Sequence, residues 1–132
     1  MKKVLLIDDN RLIRAAVMHY LSGLGYDVSC SCTSADVVKA VRQHRPDVIL
    51  TTLYSEGYGA GRLPCLLRRD ARLMKKRAVV LFSDEEDHIL SEIHEAGLVN
   101  GYFRKTFSLD GLEEVIQASF RDLRNTTDAA RG

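Results

Sequence analysis

The chain has 132 residues, 45% hydrophobic and 28% charged, which is the balance of one ordinary globular domain with room for a core. Its 19 basic and 18 acidic residues leave a net charge of +1, which argues against a nucleic-acid or membrane-surface protein. No apolar run approaches the ~20 residues of a membrane span, and three cysteines, which cannot all pair with one another, point to a reducing cytoplasm.

The first stretch, Met1-Lys2-Lys3-Val4-Leu5-Leu6-Ile7, starts like a signal peptide. Its apolar run is too short and ends in Asp8-Asp9, so a buried strand is the better reading. After Asn10, a plausible helix cap, apolar residues fall at Leu12, Ile13, Ala16, Val17, Tyr20, Leu21 and Leu24. That is one face of a helix, ended by Gly23 and Gly25. Residues 27–32 alternate, which predicts an edge strand with Val28, Cys30 and Cys32 turned to the core. The Cys-x-Cys pair has no further ligands nearby, so core cysteines are expected rather than a metal site. Ser34 is expected to cap a second helix carrying Val37, Val38 and Val41 and ending before Pro46.

Residues 47–52 read as another buried strand, followed by a loop with Gly57, Gly59 and Gly61 at alternate positions. A third helix begins near Arg62, with Pro64 tolerable in its first turn. Residues 78–82 are a buried strand ending in Ser83-Asp84. Residues 85–96 form a helix with Ile89, Leu90 and Ile93 on one side. Gly101 to Lys105 is the last strand. Ser108 is expected to cap a final helix whose stripe is Leu109, Leu112, Ile116, Phe120 and Leu123. Residues 1–124 thus read as a single domain and 125–132 as a polar, frayed tail. Five strand–helix alternations predict an α/β (βα)5 domain around a parallel sheet.

The residues just past the central strands are Asp8-Asp9, Thr52, Ser83-Asp84 and Lys105. A parallel sheet gathers all of them at one edge, where open α/β folds bind ligands. Paired carboxylates, a hydroxyl and an amine there suit a cation together with an oxyanion. The blander reading is that one carboxylate merely caps the next helix.

On these residues the chain resembles a response-regulator receiver domain of two-component signalling, from Lys3 to about Leu123. The matching pieces are V-L-L-I-D-D-N, P-D-V-I-L-T-T-L, A-V-V-L-F-S, E-A-G and G-Y-F-R-K-T-F. The resemblance implies a flavodoxin-like sheet, the fold of the chemotaxis receiver protein CheY, with strand order 2-1-3-4-5. It also implies an acidic Mg²⁺ pair at Asp8 and Asp9, a hydroxyl residue at Ser83, a switch aromatic at Tyr102 and a phosphoryl-pairing lysine at Lys105. The departures are as informative. Thr52 stands where the family has its phosphoacceptor aspartate, and a hydroxyl needs a base that the family's site does not supply. With one carboxylate fewer, Mg²⁺ is expected to bind weakly or not at all, and Lys105 to offset the charge of Asp8 and Asp9. Thr106 replaces the family's cis proline, so a trans bond is expected after Lys105. Asp84 replaces a small residue beside the site and is expected to restrict access.

The resulting expectation is a degenerate receiver, not an enzyme, that is not phosphorylated. It would need no cofactor and would act in the cytoplasm through signalling proteins docked on the face of helix four, strand five and helix five. The chain offers no nucleic-acid surface and no membrane span, and its oligomeric state is open. The alternatives are a phosphorylatable receiver with an unusual acceptor or a substituted ordinary one, and an anion- or nucleotide-binding module built on the Gly57–Gly61 loop. His19, His44, His88 and His94 lack metal-site spacing, and no nucleophile elbow is present.

Overall fold

Val4, Leu5, Leu6 and Ile7 are all buried, as a strand covered on both faces requires. They form β1 (Lys3–Ile7), the second strand of a five-stranded sheet in a computed structural model that describes residues 2–32, 36–53, 63–105 and 108–131, with side chains through Leu123. The element order is β1, α1 (Arg11–Gly23), β2 (Asp27–Ser31), α2 (Val37–His44), β3 (Val48–Thr51), α3 (Leu63–Arg68), β4 (Ala78–Ser83), α4 (Asp87–Glu95), β5 (Gly101–Arg104) and α5 (Leu112–Arg131). The strands are parallel and lie in the order β2-β1-β3-β4-β5, the CheY-like arrangement expected from the sequence.

Because side chains alternate along a strand, each central strand feeds two cores. Leu5, Ile7, Ile49, Val79 and Leu81 pack with α2, α3 and α4 on one face. Val4, Leu6, Val48, Leu50, Val80 and Phe82 pack with α1 and α5 on the other. Register sets the strand ends level, with Ile7 beside Thr51 and Thr51 beside Leu81, so Asp8 and Thr52 emerge together.

Four local expectations are corrected. Leu12 and Leu24 are 82% and 48% exposed, and Ala16 is exposed, so the buried stripe of α1 narrows to Ile13, Val17, Tyr20 and Leu21. Asp36 caps α2, its carboxylate accepting from the Lys39 N–H at 3.0 Å; Ser34 lies outside the described residues. Ser108 accepts from the Asp110 N–H at 3.0 Å, which closes a turn rather than the helix. The helix starts only after Gly111, whose φ of +89° no β-carbon residue adopts easily. Finally, α5 runs on through residues 125–131, where a polar tail was expected. That segment holds no proline or glycine, and its alanines favour helix. No helix among the described residues is long and apolar enough to cross a membrane.

At the N-terminal edge of the sheet, a polar cluster ties four elements together. Asn100, 6% exposed and just before β5, accepts from the Val79 N–H (2.9 Å) and from Arg68 Nη2 (3.0 Å), and donates to Asp122 Oδ2 (3.0 Å). Arg68 also donates to the Leu98 carbonyl at 3.1 Å. Burial pulls the Arg68 guanidinium pKa below its ordinary value, while the Asp122 charge works the other way.

Candidate functional site

The site is built on the first residue past β1. The Asp8 N–H donates to the Ser31 carbonyl at 3.1 Å, which carries the strand pairing one residue further. Its side chain is thereby held in the sheet mouth, and the residue is only 2% exposed. Oδ1 accepts from the Asn10 N–H at 2.9 Å, and Asn10 in turn caps α1 by accepting from the Leu12 and Ile13 N–H groups. Arg14, one turn into that helix, donates to the Asp8 carbonyl at 2.9 Å. The other carboxylate oxygen, Oδ2, meets the Lys105 ammonium at 2.7 Å. Among the described residues no hydrogen bond reaches Oδ2, so it is matched by charge alone.

Lys105 follows β5, and its own N–H donates to the Ser83 carbonyl at 2.8 Å. Its ammonium also lies 5.3 Å from the centre of the Phe82 ring, so the side chain passes over β4 toward β1. Its side chain is 18% exposed and that of Asp8 3%, which makes this a largely buried ion pair. Ser83 is 4% exposed and its hydroxyl accepts from the Glu85 N–H at 3.2 Å. Thr52 is half-buried beside β1, its N–H donating to the Ile7 carbonyl at 3.3 Å, and its own carbonyl accepts from the Thr51 hydroxyl at 3.0 Å. Asp9 and Asp84 are both exposed.

The structure thus brings Asp8, Thr52, Ser83 and Lys105 to one sheet edge. Tyr102, in β5, sits apart from them: its ring meets His94 of α4 edge-on, with centroids 5.9 Å apart. His94 also faces the Asp122 carboxylate at 3.7 Å. The Gly57–Gly61 loop and the Lys105–Thr106 bond lie outside the described residues. Two features were not anticipated from sequence. Arg14 carries no motif. Asn100 did leave a signal, as a lone amide between Leu98-Val99 and the apolar start of β5. Burial pushes the Cys30 thiol pKa up, the Arg14 charge works against that shift, and Asp8 adds to it, which disfavours the thiolate.

The Mg²⁺ implied by the family resemblance demands octahedral oxygen ligands, commonly one or two carboxylates with phosphate oxygens. Here the buried carboxylate is already matched by an ammonium, and Thr52 supplies no charge. Among the described residues no three His, Cys, Asp or Glu side chains are grouped to hold a metal. The residues present do not fit a tightly held divalent cation.

No protein-family model matches the chain. The chain is 33% identical over 121 residues to the response regulator GacA of Pseudomonas aeruginosa, a match that covers 89% of this chain and 53% of GacA. It spans about half the length of the curated relatives it matches. Among solved structures it is similar to the chemotaxis response regulator CheY4 of Vibrio cholerae, with TM-score 0.75, 22% identity, and coverage of 90% of this chain and 98% of that one. The response regulator TrrA of Thermotoga maritima, solved in complex with Mg²⁺–BeF, gives TM-score 0.74, 19% identity, and coverage of 90% and 99%. The structural matches establish the fold, and the sequence match aligns the chain with about half of a response regulator. The chain is a receiver domain in fold, similar in sequence to response regulators.

Proposed function

We propose that this receiver domain transmits its signal by protein–protein contact and is not itself phosphorylated. The observation that carries this reading is Thr52 at the end of β3, the position of the family's acceptor aspartate. A threonine hydroxyl becomes a nucleophile only with a general base beside it. Asp8, the buried carboxylate of the site, is engaged by the Asn10 N–H and the Lys105 ammonium, so it is poorly placed to take that proton. Ser83 and Lys105 remain as the other parts of a degenerate phosphorylation site.

The contact surface in this reading is the face of α4, β5 and α5. It holds a cleft of about 290 Å³ lined by His94, Gly101, Tyr102, Val115, Ala118 and Asp122. Such a surface, with an aromatic, a carboxylate and small residues, suits a polypeptide partner. The partners are signalling proteins of a two-component pathway, and the near-neutral charge gives no support for nucleic acid. Residues 1–124 act as one receiver unit in the cytoplasm, whose reducing conditions keep Cys30 and Cys65 as thiols.

Incubation with a small phosphodonor followed by intact-mass measurement tests the proposal. The expected mass is unchanged. An added phosphoryl group removed by hydroxylamine would reveal an acyl phosphate on a carboxylate, and one stable to hydroxylamine would implicate Thr52. Either adduct overturns the reading.

A further inference from the structure

We infer that the Lys105 ammonium is the resident cation of this site and closes it to divalent metal. The inference deepens the reading above and rests on the same strand ends. The buried carboxylate of Asp8 demands a positive partner, because an ionised group at 3% exposure is costly to leave unpaired. Two cationic side chains reach this residue. Arg14 spends its hydrogen bond on the Asp8 backbone carbonyl, which leaves Lys105 facing the inner oxygen, Oδ2.

Topology shows what this contact does. In the sheet, β3 and β4 lie between β1 and β5. Lys105 is fixed at its backbone to Ser83 of β4, crosses by the Phe82 ring and ends on Asp8, just past β1. It therefore spans the mouth of the sheet over the end of β3. The residue at that end is Thr52, which carries no charge. An aspartate there would compete with Asp8 for the ammonium, and the two carboxylates together would favour a divalent ion. With threonine, one buried carboxylate meets one ammonium and the local charge is balanced.

The test uses Mn²⁺ and Mg²⁺ on the whole chain, without any phosphodonor. In the unaltered protein, millimolar Mn²⁺ should leave the amide signals of Asp8, Asp9 and Asn10 sharp, and Mg²⁺ should leave the melting temperature where it is in chelator. Lys105→Gln should melt lower in chelator, by about 5–10 °C, because it strands Asp8. It should regain at least half of that loss in Mg²⁺ and show Mn²⁺ broadening at Asp8 to Asn10. Adding Asp8→Asn to Lys105→Gln should abolish the metal response and raise the melting temperature in chelator, since neither partner is then left charged. Mn²⁺ broadening in the unaltered protein, no metal response in Lys105→Gln, or a double variant that melts no higher than the single one would each overturn the inference. The unaltered protein and the double variant keep the test decisive should Lys105→Gln not fold. Metal binding by a chain that still refuses a phosphodonor would sink this inference alone, whereas a phosphoryl adduct would sink the reading of function.

Discussion

Asn100→Ala removes three hydrogen bonds at one buried position and tests the cluster that holds the N-terminal edge of the sheet. The substitution leaves the Val79 N–H inside β4 without its acceptor and strips a partner from both Arg68 and Asp122. An orphaned buried amide costs about 1–3 kcal/mol, and hydrogen bonds to charged groups contribute about 1.5–3 kcal/mol each. Asp122 is half-exposed and recovers much of its loss from water, so the sum is set mainly by Val79 and Arg68. The expected destabilisation is about 3–4 kcal/mol, a large share of the ~5–15 kcal/mol that holds a domain of this kind together. Urea unfolding followed by far-UV circular dichroism reads it directly, as a lower midpoint at an unchanged denaturant slope. A loss below ~1 kcal/mol would mean that water replaces the amide and that the cluster does not hold this edge.

Other outcomes follow from neighbouring geometry. His94→Ala removes a 3.7 Å approach to the half-exposed Asp122 carboxylate and one edge-on ring contact. It should cost no more than ~1 kcal/mol in the same assay, and a loss matching Asn100→Ala would contradict the ranking. Gly111→Ala forces a β-carbon onto a φ of +89° although the nearest atom, a Glu114 oxygen, is at an ordinary 3.5 Å. It should lower stability by about 1–2 kcal/mol through backbone strain, and a neutral result would show that the turn before α5 adapts. Thr52→Asp should melt lower than the unaltered chain in chelator and recover with Mg²⁺, because a second carboxylate joins Asp8 near a single ammonium. If it melts no lower in chelator, the charge-balance account of the site is wrong.

The sheet was legible because its evidence is local and repeated. V-L-L-I, V-I-L and A-V-V-L-F are apolar at every position, which only a strand buried on both faces explains, and the helical spacing between them leaves one topology. The site residues could be named for a related reason: a parallel sheet delivers Asp8, Thr52, Ser83 and Lys105 to one edge whatever the loops do. The approach of Lys105 to Asp8 was expected from the family resemblance, as an offset to the charge of Asp8 and Asp9. What sequence could not supply was its path, since the reach of the ammonium past β4 depends on side-chain course and strand order together. The Asn100 cluster was equally hidden, because its members come from α3, α5 and the turn before β5 and meet only in three dimensions. Cap assignments failed where several capping residues compete. Ser34 and Asp36 are two residues apart, and Ser108 is followed by a glycine that delays the helix.

The central claim is that the strand-end site holds no phosphoryl switch and leaves the Tyr102 face in one state. Amide spectra of the unaltered chain, recorded with and without Mg²⁺ and beryllofluoride, a phosphoryl mimic, test it most directly. The account predicts coincident spectra at Ser83, Tyr102 and Lys105 and along α4 and β5. Shifts that begin at Ser83 and Lys105 and spread to Tyr102 and His94 would contradict it, for they would show a site that still accepts the mimic and passes the change to the opposite face.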